Sequence, residues 1–479
     1  MAAGAGGGRG VKRMKHNIRV VLCATLALFA VLGGYLLYAT YSYGGRWFTT
    51  PYNTRLRNAK NSVIPGNITD RNGTVLVTTG ADGQREYPVG DETRRAVSHV
   101  IGDTQGDVPT GAETFLAADL LGFNASLTDR IAQLFVEKRR GSDVQLTIDA
   151  ALQTFAAQQF PEGKYGAVTV INYKTGEVLL LYSNPEYDAA HPEQFKDASN
   201  GVLINRAMQG RYAPGSVFKI VTLACALENI PDVQNRTFNC TGSADVTDEM
   251  KLTDTGGEGH GTVTLQEAFA QSCNIAFGQL ALELGQEKLR ETAEKMGFNG
   301  NFLFEDLIVY ESLFPKSIED KGELAWTGVG QGRLTAVPLH LCMIAGSVAN
   351  GGRMAEPQLK LSVKDSAGGV RNSLNTKNYL QTMQPETAQV IQSYMLGTVM
   401  DGTASRAAVE GHSIAGKTGT AQVNSSGGKY DPHSWFVGYC AEEEHPYAIA
   451  VVVENGGSGG KAAAELAGKV LQKAIEIVK

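Results

Sequence analysis

Three short strings hold the residue types that acyl-transfer chemistry needs. In "RYAPGSVFKI" (211–220), Ser216 and Lys219 stand three positions apart behind Pro214-Gly215, where a long apolar segment begins. Residues i and i+3 share a helix face, so an amine at Lys219 can sit over the Ser216 hydroxyl and take its proton. That requires burial or a neighbouring cation to lower the lysine pKa. A serine in the first helical turn also turns its backbone N–H toward an incoming oxyanion, with the helix dipole behind it. Alone, the pair reads equally well as a capping serine and a snorkelling lysine.

The second string is "FAQSCNIAFGQL", in which Ser272 and Asn274 flank Cys273 amid apolar residues. A hydroxyl there could relay a proton to a leaving amine, and an amide could hold both a lysine and a substrate carbonyl. A serine at a helix start is otherwise a cap. The third string, "GKTGTAQ", places Lys417, Thr418, Gly419 and Thr420 on an expected strand. Lysine and threonine can bind a carboxylate, the glycine lets a substrate backbone lie close, and Thr420 can offer a second oxyanion N–H. The same K-T-G in "YKTG" at 173–176 is better explained by a hairpin turn, so this string too means little by itself.

These strings must be held by a fold. "YGAVTVINYKTGEVLLLYSNP" reads as a β-hairpin, a long helical middle follows, and "SIAGKTGTAQV", "HSWFVGYC" and "YAIAVVVEN" return to strands before a closing amphipathic helix. Strands at both ends of a unit with helices between them imply an α+β fold, an antiparallel sheet assembled from distant parts and flanked by helices. Upstream, "SVIPGNITDRNGTVLVTT" reads as two short strands about a turn, "GAETFLAADLLGF" as helical, and Asp149 as the cap of a helix in "LTIDAALQTFAAQQF".

Composition bounds the rest. A chain of 479 residues predicts two or three units. The formal charge is −6, yet residues 1–19 carry five basic side chains and no acid, which leaves −11 on the remainder and argues against nucleic-acid binding. Residues 20–43 contain no charge and are long enough to cross a bilayer, longer than the apolar core of a cleaved signal peptide. The expected order is a cytoplasmic tail (1–19), a single transmembrane helix (20–43), a small pedestal (44–144) and a catalytic unit (145–479) on the extracellular side. Tyr35, Tyr38, Tyr41, Tyr43 and Trp47 fit an interfacial belt. The six cysteines show no C-x-x-C spacing, so neither a metal site nor a disulfide framework is indicated.

What joins the strings is their order and spacing: Ser272 lies 56 residues after Ser216, and Lys417 lies 143 after Asn274. The trio is the signature of penicillin-binding proteins and serine β-lactamases. From about residue 62 onward the chain resembles the class B penicillin-binding proteins, membrane-anchored peptidoglycan D,D-transpeptidases. "ITDRNGTVL", "LTIDAALQ", "GVGQGRLTAVPLHL", "VANGG", Gly402-Thr403 in "MDGTA" and "HSWFVGY" carry the likeness further.

The resemblance implies that Ser216 is the acylated nucleophile, Lys219 its general base, and Ser272 and Asn274 the second motif. It implies that Lys417, Thr418 and Thr420 bind the substrate carboxylate and complete the oxyanion hole, with no metal or cofactor. Stem peptides ending in D-Ala-D-Ala would be substrates, β-lactams inhibitors, and a SEDS-family membrane glycosyltransferase a partner, since about 100 residues cannot hold a glycosyltransferase domain of its own. Cys273 is expected to leave its flanking side chains undisturbed.

Three rivals share parts of this pattern. A class A β-lactamase would add a water-activating glutamate in E-x-x-L-N, and no such string lies between Asn274 and Lys417. A D,D-carboxypeptidase differs only in whether water or an amine arrives second. A β-lactam-binding sensor without turnover would carry a larger signalling part than the 19 residues before the span.

Overall fold

The computed structural model describes residues 7–48, 63–103, 108–125, 127–136, 138–195, 201–248, 250–302, 304–372, 374–422 and 431–478. Helix α1 (Gly7–Phe48) contains a stretch, Arg13–Ala39, long and apolar enough to cross a membrane, and most of its large apolar side chains are exposed. The side chains of Tyr41, Tyr43 and Trp47 lie outside the described set, as do residues 49–62 of the expected pedestal.

After α1 come β1 (Ile68–Thr69), β2 (Val75–Thr79), β3 (Arg85–Glu86) and β4 (Asp143–Leu146). Asp149 then caps α2 (Ala150–Gln159), its side chain accepting from the Leu152 N–H at 2.9 Å as the sequence predicts. The "YKTG" turn joins β5 (Gly166–Asn172) to β6 (Val178–Asn184) in an antiparallel hairpin. Helix α3 (Lys219–Asn229) is followed by a small lobe of four short strands: β7 (Thr237–Cys240), β8 (Ser243–Asp245), β9 (Lys251–Thr253) and β10 (Gly261–Thr264). Helices α4 (Leu265–Ala270), α5 (Asn274–Lys295) and α6 (Pro338–Ala349) lead to β11 (Lys360–Lys364) and β12 (Val370–Asn372). The chain closes with α7 (Pro385–Met400), β13 (Ile414–Ala421), β14 (His433–Cys440), β15 (Tyr447–Val453) and α8 (Ala462–Ile477).

The central sheet has the strand order β13-β14-β15-β5-β6 and is antiparallel throughout. Strand alternation explains why both faces are covered. In β15, Ile449, Val451 and Val453 pack with Leu466, Val470 and Leu471 of α8 and Leu152 of α2. Their neighbours Ala448, Ala450 and Val452 join the core that contains Ile344 and Leu341 of α6. Successive side chains of a strand point to opposite faces, so a run apolar at every position needs a helix layer on each side. Here α2 and α8 form one layer and α6 belongs to the other.

A second, mixed sheet has the order β12-β11-β4-β1-β2-β3. It draws two adjoining strands from residues 360–372, so chain from both sides of residue 144 is woven into one sheet, with β1 parallel to β4 and β11 antiparallel to it.

Candidate active site

Pro214 and Gly215 turn the chain onto the edge strand β13. Residues Gly215–Phe218 form a single 3-10 turn, and the α-helix starts only at Lys219; the sequence reading had placed Ser216 in the α-helix itself. The tighter 3-10 winding nearly eclipses i and i+3, which keeps the serine and lysine on one side. Gly215 sits at φ +57°, and a Cβ there would lie 2.7 Å from the Thr420 carbonyl oxygen. Only glycine allows both the left-handed backbone and this approach. The first and third strings are therefore in direct backbone contact.

Lys219 is fully buried, while Ser216 is half-exposed at the cleft. The Lys219 Nζ donates to the Ser272 carbonyl (2.5 Å), the Asn274 Oδ1 (2.7 Å) and the Ser272 Oγ (3.2 Å), and lies 5.6 Å above the Phe277 ring. Burial pushes its pKa down from the ordinary lysine value to about 7, against the opposing pull of Asp254 and Cys273. A free-base amine is thereby populated near neutrality.

The second string is a strained turn followed by a helix start. Ser272 adopts φ +61° and is not the cap. Cys273 is, its Sγ accepting from the Ala276 N–H at 3.4 Å. Asp254, which the sequence reading did not single out, accepts from the Asn274 backbone N–H through Oδ1 and receives the Cys273 thiol at Oδ2. The Cys273 side chain thus helps to fix the turn, and the Ser272 and Asn274 side chains on either side of it both reach Lys219. No local signal marks Asp254, an aspartate in a glycine-rich turn.

On β13, Thr418 and Thr420 face the cleft, but Lys417 and Gly419 do not line it. Lys417 is fully buried, its Nζ 5.6 Å above the Phe269 ring and 3.2 Å from the Thr418 carbonyl. Burial and the nearby Lys219 hold its pKa well below the ordinary value. A Cβ at Gly419 would lie 2.8 Å from the Pro214 carbonyl oxygen, so this glycine also lets the Ser216 turn pack against β13. Thr403 places its hydroxyl 2.8 Å from that of Thr418, and Gln331 donates to the Thr420 carbonyl at 3.1 Å.

A cleft of about 1110 Å³ brings Ser216, Ser272, Asn274, Thr403, Thr418 and Thr420 to one surface, with Arg406 and Lys461 adding positive charge to its wall. A hydroxyl beside a buried amine, facing threonine donors and cations, is suited to opening an acyl bond whose substrate carries a terminal carboxylate.

The penicillin-binding protein transpeptidase domain model matches residues 166–472. The chain belongs to the penicillin-binding protein transpeptidase family. Among its relatives, the peptidoglycan D,D-transpeptidase PbpA of Mycolicibacterium smegmatis is 29% identical across 89% of this chain and 92% of its own. PbpA of Mycobacterium tuberculosis is 32% identical across 72% of this chain and 75% of its own. The structure of penicillin-binding protein A from M. tuberculosis, solved as a ceftriaxone acyl-enzyme complex, superposes with a TM-score of 0.79 at 28% identity, covering 87% of this chain and 99% of that one. A D,D-transpeptidase domain from Eggerthella lenta gives 0.75 at 32% identity, with 87% and 99% covered. The penicillin-binding fold expected from the sequence is thus the fold observed.

Proposed function

We propose that this chain is a peptidoglycan D,D-transpeptidase that works through an acyl-enzyme on Ser216. The observation that carries the reading is the buried Lys219 amine, held by Ser272 and Asn274 at the base of a cleft that Ser216 also lines. In the proposed cycle the neutral Lys219 takes the Ser216 proton as Oγ attacks the carbonyl of the D-Ala-D-Ala bond. The oxyanion is met by the backbone N–H groups of Ser216 and Thr420.

The tetrahedral carbon then expels D-alanine, whose amine takes a proton relayed through Ser272. An amine of a second stem peptide attacks the ester, returns the hydroxyl to Ser216 and leaves a cross-link. Thr418 and Thr420 bind the terminal carboxylate directly. Lys417, beneath the surface, acts on that carboxylate through its field and by fixing the strand. β-Lactams acylate the same serine, in keeping with the acyl-enzyme complex of the M. tuberculosis relative.

Helix α1 anchors the enzyme, with the cleft on the outer side of the membrane and glycan polymerisation supplied by a SEDS-family partner. The basic cluster at residues 9–19 supports this orientation.

Labelling with a fluorescent penicillin tests the assignment: wild type labels and Ser216→Ala does not, at equal folded content. Labelling that persists in Ser216→Ala refutes it. Incubating the purified protein with a D-Ala-D-Ala peptide and an amine acceptor should yield cross-linked dimer; hydrolysed peptide alone would make it a carboxypeptidase.

A further inference from the structure

Upstream of the mixed sheet, helix Leu127–Ala132 and the 3-10 turn Gln133–Phe135 lead into a short strand, Arg139–Arg140. Along this run Ile131 is 54% exposed, Leu134 62% and Val136 53%. Ile131 and Leu134, three apart, share one face. The buried side chains of the segment are polar. Asp129 accepts from the Ser366 hydroxyl (2.5 Å) and the Ala367 N–H (3.1 Å), and Gln133 donates to the Ser366 Oγ (2.8 Å). The segment is thus clamped to the turn between β11 and β12, and Val370, just past that turn, is 67% exposed. A surface helix ordinarily buries its apolar stripe; here the polar side chains are buried and the apolar ones face out.

Cations rim these apolar side chains. Lys138 and Arg139 follow Val136, and Lys364 stands opposite Val370 in the β11–β12 register. All three are exposed, and no ion pair engages them among the described residues.

Chain direction relates this face to the membrane. Strand Val63–Ile64 pairs parallel with Arg139–Arg140, Val63 opposite Arg139. Parallel partners enter from the same end, so the chain arriving from α1 meets the fold on the side where Val136 and Lys138 lie. Residues 49–62 can reach at most about 50 Å, and they carry Arg55, Arg57 and Lys60 and no acid. Strand β4 starts at this same end, with Asp143 opposite Lys364, and runs from it toward Asp149 and the catalytic unit.

We propose that this end of the mixed sheet rests on the outer face of the membrane that α1 crosses. Ile131, Leu134, Val136 and Val370 enter the interfacial layer, and Lys138, Arg139 and Lys364 meet anionic headgroups. Apolar side chains ringed by cations suit a segment that sinks about 5–10 Å into the headgroup boundary. Four apolar side chains fall short of a protein interface, which takes about 20–30 residues a side. Alone, so small a contact is weak and reversible; it orients a chain that the span already holds, and so sets the height and facing of the cleft. The inference rests on the reading of α1 as an anchor with the folded chain outside, and not on the acyl-enzyme.

Nitroxide labels on the full-length protein, reconstituted in nanodiscs of phosphatidylglycerol and phosphatidylcholine, test this. In a Cys23→Ser background, labels at Leu134→Cys and Val370→Cys should be reached more by oxygen, which concentrates in lipid, than by a water-soluble nickel chelate. A label at Met400→Cys, exposed on the catalytic unit, should show the reverse. Lys138→Glu with Arg139→Glu, or nanodiscs of phosphatidylcholine alone, should shift the Leu134 label toward water. Penicillin labelling should be unchanged in every variant, which reports a folded catalytic unit. A label on Cys23, exposed in the span, reads the anchor separately. A Leu134 label in water with the Cys23 label in lipid overturns the proposal and leaves the anchor standing, whereas a Cys23 label in water removes both. Spin–spin broadening between Leu134 labels would place a second copy on this face and also overturns it.

Discussion

At the scale of single residues, Lys219 decides what Ser216 can do. An ordinary lysine would be protonated at neutral pH and could not accept a proton. Burial brings this one to about 7, while Asp254 and Cys273 pull the other way. The sign follows directly. Acylation by penicillin should rise with pH through about 7 and level off above it, and each unit below should cost about tenfold as the free base disappears. Stopped-flow labelling across pH 5 to about 9 measures this, and a flat profile would remove Lys219 as the base. Lys219→Ala should slow acylation by about 10²–10⁴-fold. Lys219→Arg should not restore it, since guanidinium does not release its proton in this range.

At the scale of elements, the site depends on how closely a turn can approach a strand. Gly215→Ala would place a methyl 2.7 Å from the Thr420 carbonyl at φ +57°, where neither backbone is free to give way. We expect it to lose about 1–3 kcal/mol of stability and to slow acylation by shifting Ser216 from β13. Gly411→Ala is the control, at φ +80° with nothing within 4 Å, and should show the backbone strain alone with acylation unchanged. Thermal melts and labelling rates of the pair distinguish the two. The hairpin at 166–184 and the Asp149 cap were legible in the sequence because each is set by local turn and capping chemistry. The 3-10 start before α3 was not, because it answers to a strand distant in the chain, and the Cys273 cap was not, because a thiol is a weak acceptor outside the usual capping residues.

At the scale of the whole molecule, the anchor and the catalytic unit should be separable in solution. Removing residues 1–48 should move the protein from the membrane pellet to the soluble fraction while penicillin labelling persists, because the large apolar side chains of α1 from Met14 to Tyr38 are exposed and the cleft is lined entirely by residues from Ser216 onward. Labelling lost on truncation of a folded protein would mean that the helix supports the site. The mixed sheet makes a further truncation, after residue 144, a poor way to isolate the catalytic unit. Strand β11 would lose the Asp143–Val144 half of its partner β4 and expose an unpaired edge.

The sequence alone determined the local chemistry: which serine, lysine, asparagine and threonines could act, the hairpin, the capped helix and a span long enough for a bilayer. Periodicity, turn residues and short spacings are properties of neighbouring residues, and they survive without coordinates. Tertiary structure decided the rest. It buried Lys219 and so lowered its pKa, and it packed Gly419 against Pro214. It also buried Lys417 beneath the strand that carries it. Desolvation and convergence depend on what packs against a residue from far along the chain, and no short window of sequence contains that information.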